Sequence, residues 1–254
     1  MLIAPYVVGL AATIAAGRFH AADVVLFALW IVGYFAFYAT SLWLKSRRKP
    51  RYLPPVRTYV LITAGLGLIT LGLQPSTWSW LVPFTPVLVV GLVFAYRRDD
   101  RSIASGVTTV AAACLMPAVV YADGFFDFVT GLGSGDYDLI AVTCVASFGY
   151  FFGTVLYVKT MIRERGHVGY IAASVIWHAA CVVAAVLLAV FGGSLIAAWV
   201  SWALAGFFVL MTVRSFVMPM LWPMRGKVLR PGALGIGELF ATLALVGILI
   251  GAAL

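Results

Sequence analysis

Long apolar stretches recur along this chain, separated by short polar breaks. They predict nine membrane-crossing helices near residues 2–17, 22–44, 58–74, 78–96, 103–122, 138–158, 169–191, 194–217 and 232–254. A crossing helix needs roughly 20 mostly apolar residues, because a hydrocarbon core of about 30 Å is climbed at about 1.5 Å per residue. The stretches lack the two-residue alternation of barrel strands, which excludes a β-barrel.

The polar breaks are of two kinds. Sixteen of the 17 Lys and Arg residues fall in every second break. Lys45 to Arg57 carries six basic residues and no acid. Arg97-Arg98-Asp99-Asp100-Arg101 is a tight, nearly self-neutralised turn, and Lys159 to His167 reads Lys-Thr-Met-Ile-Arg-Glu-Arg-Gly-His. The last such break runs from Arg214 to Arg230, with Pro219, Trp222, Pro223 and Pro231 as breakers. The alternate breaks hold Arg18 as their basic residue and the acids Asp23, Asp123, Asp127, Asp136 and Asp138. Cytoplasmic loops accumulate Lys and Arg. The pattern therefore predicts a multi-pass protein of the bacterial plasma (inner) membrane, with a cytoplasmic N-terminus and an outer C-terminus. On the outer side, Phe125, Phe126 and Phe128 predict an amphipathic segment at headgroup level, and Trp78 and Trp80 sit at the mouth of the fourth stretch.

Composition agrees with this class. The chain is 63% hydrophobic and 10% charged, whereas soluble domains are about 25% charged. The net charge of +8 resides in loops beside apolar helices, where anionic headgroups attract it. Membrane lipids, including an isoprenoid or quinone-type lipid, are the expected partners, and nucleic acid is not. Cys114, Cys144 and Cys181 all fall inside apolar stretches, which argues against disulfides or a zinc site. The first stretch lacks a basic n-region, so no cleavable signal is expected. It is short and begins on the initiator Met, so natural residues are expected to precede it.

A faint repeat accompanies these features. Gly33-Tyr34-Phe35 precedes Arg47-Arg48-Lys49, and Gly149-Tyr150-Phe151 precedes Arg163-Glu164-Arg165, with one offset of 116 residues relating both pairs. The expected organisation is a single polytopic domain over 1–254, with pseudo-repeats of roughly 1–102 and 103–217 and a ninth helix at 232–254.

Ionisable groups inside a bilayer cost roughly 2.5–3.5 kcal/mol on insertion scales, so each is a functional candidate. His178 lies about 12 Å deep in the seventh stretch at the helical rise. Glu238 is at a similar or shallower depth in the ninth. Ser174 shares a face with His178, and Glu238 has Arg214 or His178 as its expected partner. Tyr38, Ser41, Tyr157, Lys159 and Arg214 gather at cytoplasmic helix ends. Gly247 and Gly251 have the spacing of a helix-packing motif. No nucleophile elbow, P-loop or His-Glu-x-x-His helix is present, so no catalytic residue is assigned. The Asp136–Asp138 and Asp99–Asp100 pairs are too few or too crowded by arginine to hold Ca²⁺ or Mg²⁺. No cofactor is expected, Mg²⁺ included.

Ala4-Pro5 with Gly9, the loop Lys45-Ser-Arg-Arg-Lys-Pro-Arg-Tyr52 and Phe152-Gly-Thr-Val-Leu-Tyr-Val-Lys-Thr-Met-Ile-Arg-Glu-Arg165 resemble the YwiC-like family of bacterial multi-pass membrane proteins. That family usually opens with a Gln/Glu-His-Gly element, which this sequence lacks. The resemblance implies an architecture and no activity. More loosely, the chain is similar to UbiA-type prenyltransferases, which have nine helices, a cytoplasmic N-terminus and motif loops after helices two and six. This likeness implies an all-α membrane fold of two four-helix units plus a final helix. The Asp-rich Mg²⁺ motifs of that superfamily have no counterpart here.

Three readings follow. In the first, the protein binds an anionic lipid or isoprenoid phosphate in a cytoplasm-facing cavity. Arg47, Arg48, Arg163, Arg165 and Lys159 would meet the headgroup, with Tyr34, Tyr150, His178 and Glu238 lining the cavity. In the second it is a small-molecule or proton-coupled transporter with His178 and Glu238 as a relay, its helices broken at Pro83, Pro86 or Pro117. In the third it is an accessory subunit of a membrane complex. The first alone explains why polar groups and basic helix ends share one leaflet.

Overall fold

The computed structural model describes residues 1–99, 102–135, 137–193, 195–224 and 231–254. Every regular element among them is helical. In chain order these are α1 (Ala4–Ala15), α2 (Ala21–Lys45), α3 (Leu53–Leu73), α4 (Leu81–Arg97), α5 (Ile103–Cys114), α6 (Met116–Tyr121), α7 (Phe125–Thr130), α8 (Asp138–Ile162), α9 (Val168–Phe191), α10 (Ala198–Met224) and α11 (Pro231–Ala253). Short 3₁₀ turns at Pro50–Tyr52 and Pro75–Trp80 lead into α3 and α4. The chain is an all-α, multi-pass membrane protein. Eight helical segments among the described residues are long and apolar enough to cross a bilayer.

The first expected span is different. Helix α1 has 12 residues, about 18 Å at the helical rise, short of a 30 Å core. It ends because Gly17 turns left-handed (φ 67°) and the Arg18 amide reaches back to the Thr13 carbonyl at 2.9 Å, a glycine-centred cap. A second difference lies in α10, which continues through Pro219 to Met224. Pro219 was expected to break the chain and does not, since freed backbone groups in membrane helices are re-satisfied locally. Pro86 likewise sits inside a continuous α4, whereas the break between α5 and α6 immediately precedes Pro117. Asp100, Arg101, Asp136 and residues 225–230, to which several expectations attach, lie outside the described residues, as do the side chains of Trp222, Pro223 and Pro231.

The chain divides into two compact units. One comprises Gly9–Gly131; the other comprises Leu132–Leu254 with Met1–Val8. In the first, α2 packs on α3 and α4, and α4 on α5. Gly9 is essential to its short helix: a Cβ there would lie 2.6 Å from the Pro117 Cα. In the second, α8 is buried over most of its length, and α9, α10 and α11 all pack against it. Glycines at 149 and 153 permit the close approach of α9, since a Cβ at either would fall 3.0 Å from Cys181 Sγ or 2.5 Å from His178 Nε2. This is small-xxx-small helix packing of the kind bilayers favour.

Candidate functional site

The first unit presents a basic, aromatic corner where α2 turns into α3. Phe35, Tyr38, Ala39 and Leu42 recur at three- and four-residue spacing on α2 and so share one face. Tyr52, Pro55 and Tyr59 face them across the turn, and together these seven residues enclose a cleft of about 250 Å³. Phe35 and Tyr59 stack with ring centroids 5.6 Å apart, and Tyr34 stacks on Tyr38 at 6.5 Å. The connecting segment carries the exposed Arg47, Arg48, Lys49 and Arg51, whereas Arg57, two residues from both Pro55 and Tyr59, falls on the other face of α3. Arg51 is laid over the Tyr52 ring at 4.8 Å and donates to its hydroxyl at 3.0 Å. An arginine is thus fixed to a ring that lines the cleft.

The backbone of this corner is unusual. The non-glycine residues with positive φ among the described residues are Arg47 (60°), Arg48 (61°) and Arg98 (59°). Left-handed geometry costs an L-residue roughly 1–2 kcal/mol. It closes α2, with the Arg48 amide bonded to the Trp43 carbonyl at 2.9 Å, and α4, with the Asp99 amide bonded to the Phe94 carbonyl at 2.9 Å. Glycine would close either helix without this cost. Arg48 lies over Trp43 and Tyr96 at 5.9 and 6.0 Å, while Arg98 Nε donates to the Lys45 carbonyl at 3.2 Å.

The second unit holds a buried polar cluster. Glu238 is seven residues into α11, and Tyr150 sits midway along α8, twelve residues from either end. Glu238 Oε1 meets Arg214 Nη1 at 2.6 Å. Its Oε2 accepts from Thr154 Oγ1 at 2.9 Å and from the Tyr150 hydroxyl at 3.1 Å. Thr242 Oγ1 donates to the Glu238 carbonyl at 2.8 Å, which leaves the Tyr150 proton for the carboxylate. The Arg214 guanidinium lies 4.2 Å over the Tyr157 ring. Arg214 was expected at a helix end that opens a loop. It is instead ten residues inside α10, roughly 15 Å from that end, where pairing with Glu238 makes a charge tolerable in the span.

His178 does not join this pair. It is completely buried, and its Nδ1 donates to the Ser174 carbonyl at 2.7 Å, since a carbonyl can only accept. Its Nε2 has no hydrogen-bond partner among the described residues and is pressed against Gly153. Lys159 sits in the last turn of α8. Arg163 and Arg165 follow the helix on the surface, with Arg165 Nε bonded back to the Met161 carbonyl.

The expectations therefore resolve residue by residue. Tyr150 and Glu238 come together, with Arg214 as the partner. Tyr34, Arg47 and Arg48 surround the α2–α3 corner. Thr154 and Thr242 were missed, although each lies four residues after Tyr150 or Glu238 and so on the same helical face. The Gly149/Gly153 spacing was also readable and was missed as a packing motif.

Comparison with known proteins adds family context. Residues 1–121 match the family model described as YwiC-like protein. Similar curated proteins include an uncharacterized protein of Haemophilus influenzae, 24% identical over 158 residues (59% of this chain, 62% of that protein). The uncharacterized protein YwiC of Bacillus subtilis is 27% identical over 140 residues, 55% of each chain. The matches thus span between about half and three fifths of these relatives' lengths. No solved structure gives a significant match. The YwiC-like resemblance is borne out, and the UbiA likeness is not among the findings.

Proposed function

We propose that this YwiC-like membrane protein holds an anionic amphiphile of the isoprenoid-phosphate class at the α2–α3 corner. The phosphate lies on the Lys45–Arg57 segment, and the first part of the tail lies in the aromatic cleft. The observation that supports this most directly is the placement of Arg51 on Tyr52, one of the rings enclosing the cleft of about 250 Å³. Arginine binds phosphate directly through paired N–H groups, so this reading needs no metal. Pockets that enclose a whole drug-sized ligand run to about 300–1,000 Å³. A smaller cleft suits the head-proximal isoprene units, with the remaining tail in the bilayer.

The left-handed arginines support the same reading. Backbone strain at a non-glycine residue is retained where the side chain is needed, and here arginine stands at each strained position. In this reading the basic corner faces the cytoplasm across a bacterial inner membrane. The eight spans from α2 to α11 then begin and end on the outer side, which places the C-terminus outside.

The test is native mass spectrometry of protein released from zwitterionic nanodiscs doped with geranylgeranyl phosphate. Wild type is expected to retain the phosphate in preference to phosphatidylcholine, and Arg48→Ala/Arg51→Ala to lose it. Equal retention by the two proteins, or no retention by either, contradicts the reading.

A further inference from the structure

Arg214 has more hydrogen-bonding capacity than its surroundings use. Its Nη1 faces Glu238 at 2.6 Å, and its plane is held 4.2 Å over the Tyr157 ring. Nε and Nη2 are buried and have no hydrogen-bond partner among the described residues, and Glu238 Oε1, though 2.6 Å from Nη1, forms no well-directed hydrogen bond either. These two nitrogens form one edge of the guanidinium, with parallel N–H bonds pointing the same way. Two oxygens of one carboxylate or phosphate fit that edge. A single carbonyl oxygen can accept from both only with bent geometry, whereas a carboxylate or phosphate offers each N–H its own oxygen. Leaving buried charged donors unmet is costly, and few buried polar groups are left so.

We propose that the Nε–Nη2 edge of Arg214 is a binding site for a carboxylate or phosphate group inside the second unit, separate from the α2–α3 cleft. Glu238 occupies the end of the guanidinium and the anion occupies its side. Arg214 therefore carries two anionic partners, and Glu238 repels the second through the shared cation. Removing the Glu238 charge tightens anion binding by about tenfold or more, given the strength of unit charges a few ångström apart in protein. Both nitrogens are covered, so the anion arrives with a displacement of the side chains above them. The Thr154 and Tyr150 hydroxyls engage Glu238 Oε2, while Oε1 faces Nη1.

The anion can be a free solute or a lipid headgroup, and one experiment separates these sources. Protein labelled with ¹⁵N-arginine is placed in zwitterionic nanodiscs, and the Nε–H signals are followed during titration with acetate and, separately, inorganic phosphate. A parallel sample carries phosphatidylglycerol in place of added anion. One Nε–H signal is expected to shift saturably and to be missing in Arg214→Lys. A response to acetate or phosphate identifies a free anion; a response confined to phosphatidylglycerol identifies a headgroup. If Arg214→Lys does not fold, Glu238→Gln takes its place. The responding signal must then be the one that this substitution displaces, and its affinity must rise about tenfold. The proposal is overturned if no Nε–H signal saturates in any sample, if the responding signal survives in Arg214→Lys, or if Glu238→Gln leaves its affinity unchanged or weaker.

Discussion

Both units present exposed arginines at helix ends, but among the described residues the second also holds one largely buried inside a helix, Arg214. In Gly9–Gly131 the described arginines are exposed, and three of them occupy left-handed turns at helix ends that glycine would fill more cheaply. In Leu132–Leu254 one arginine sits deep in a helix and is matched by the acid of another helix. The first arrangement spends backbone energy to present arginines at a surface. The second uses a cation to join α10 to α11. A guanidinium at a membrane surface can serve an outside partner, whereas one inside a bundle must first be neutralised.

The largest expected effect breaks the second arrangement. Glu238→Ala should cost about 3–5 kcal/mol in unfolding experiments in mild detergent, because it strands Arg214 in the bundle. Arg214→Met combined with Glu238→Leu should cost less than either single change. A Glu238→Ala cost no larger than that of Arg57→Ala would erase the contrast between buried and surface charge.

Next come the glycines. Gly9→Ala is expected to destabilise by about 3 kcal/mol and Gly153→Ala by about 1–2 kcal/mol. Each added Cβ would fall within 2.6 Å of another atom, but that atom is Pro117 backbone in the first case and the His178 ring in the second. A side chain can yield where backbone cannot. Gly65, which has no neighbour within 4 Å of such a Cβ, should tolerate Ala with a gain of up to about 1 kcal/mol. Thermal melts of the three variants, ranked against one another, check the order.

Smaller still is the effect that sharpens the comparison most. Arg48→Gly should stabilise the protein by about 1 kcal/mol, by relieving a left-handed arginine, while weakening retention of an isoprenoid phosphate. Stability and binding would then move in opposite directions at one residue. Destabilisation, or unchanged retention, would remove the functional explanation of the strain. Smallest of all, Arg163→Ala and Arg165→Ala should each alter stability by no more than about 0.5 kcal/mol, as exposed positions usually do.

Much of the architecture was legible because bilayer thickness leaves few solutions for an apolar stretch. Spans α2 to α4 and α8 to α11 follow directly from hydropathy, with ends displaced by up to seven residues, the most at the close of α10. Helix α1 was legible as short, since its apolar stretch stops at Gly17-Arg18, but the further loss of its first and last turns, which leaves 12 residues, was not. Arg214 was misplaced too. Charge alone marks a loop, and only the position of Glu238 on a neighbouring helix makes that arginine an interior residue. Pro219 misled similarly, since proline ends helices in water more reliably than in a packed membrane bundle. Glu238 and Tyr150 could be singled out from the sequence because each is a polar group in an apolar run. Their pairing depends on the rotation of α11 about its axis, which periodicity does not fix for a helix apolar on nearly every face. The cleft lies further from the sequence again. Its aromatic residues were visible, but the geometry of the Pro50–Tyr52 turn determines which of them face one another.

The most direct test of the central claim is photolabelling in native membranes with a diazirine-bearing isoprenyl phosphate, followed by peptide mapping. Adducts are expected to concentrate between Phe35 and Tyr59, suppressed by unlabelled isoprenyl phosphate and unaffected by phosphatidylcholine. Adducts scattered over lipid-facing residues of α9 and α11, with no competition, would contradict it.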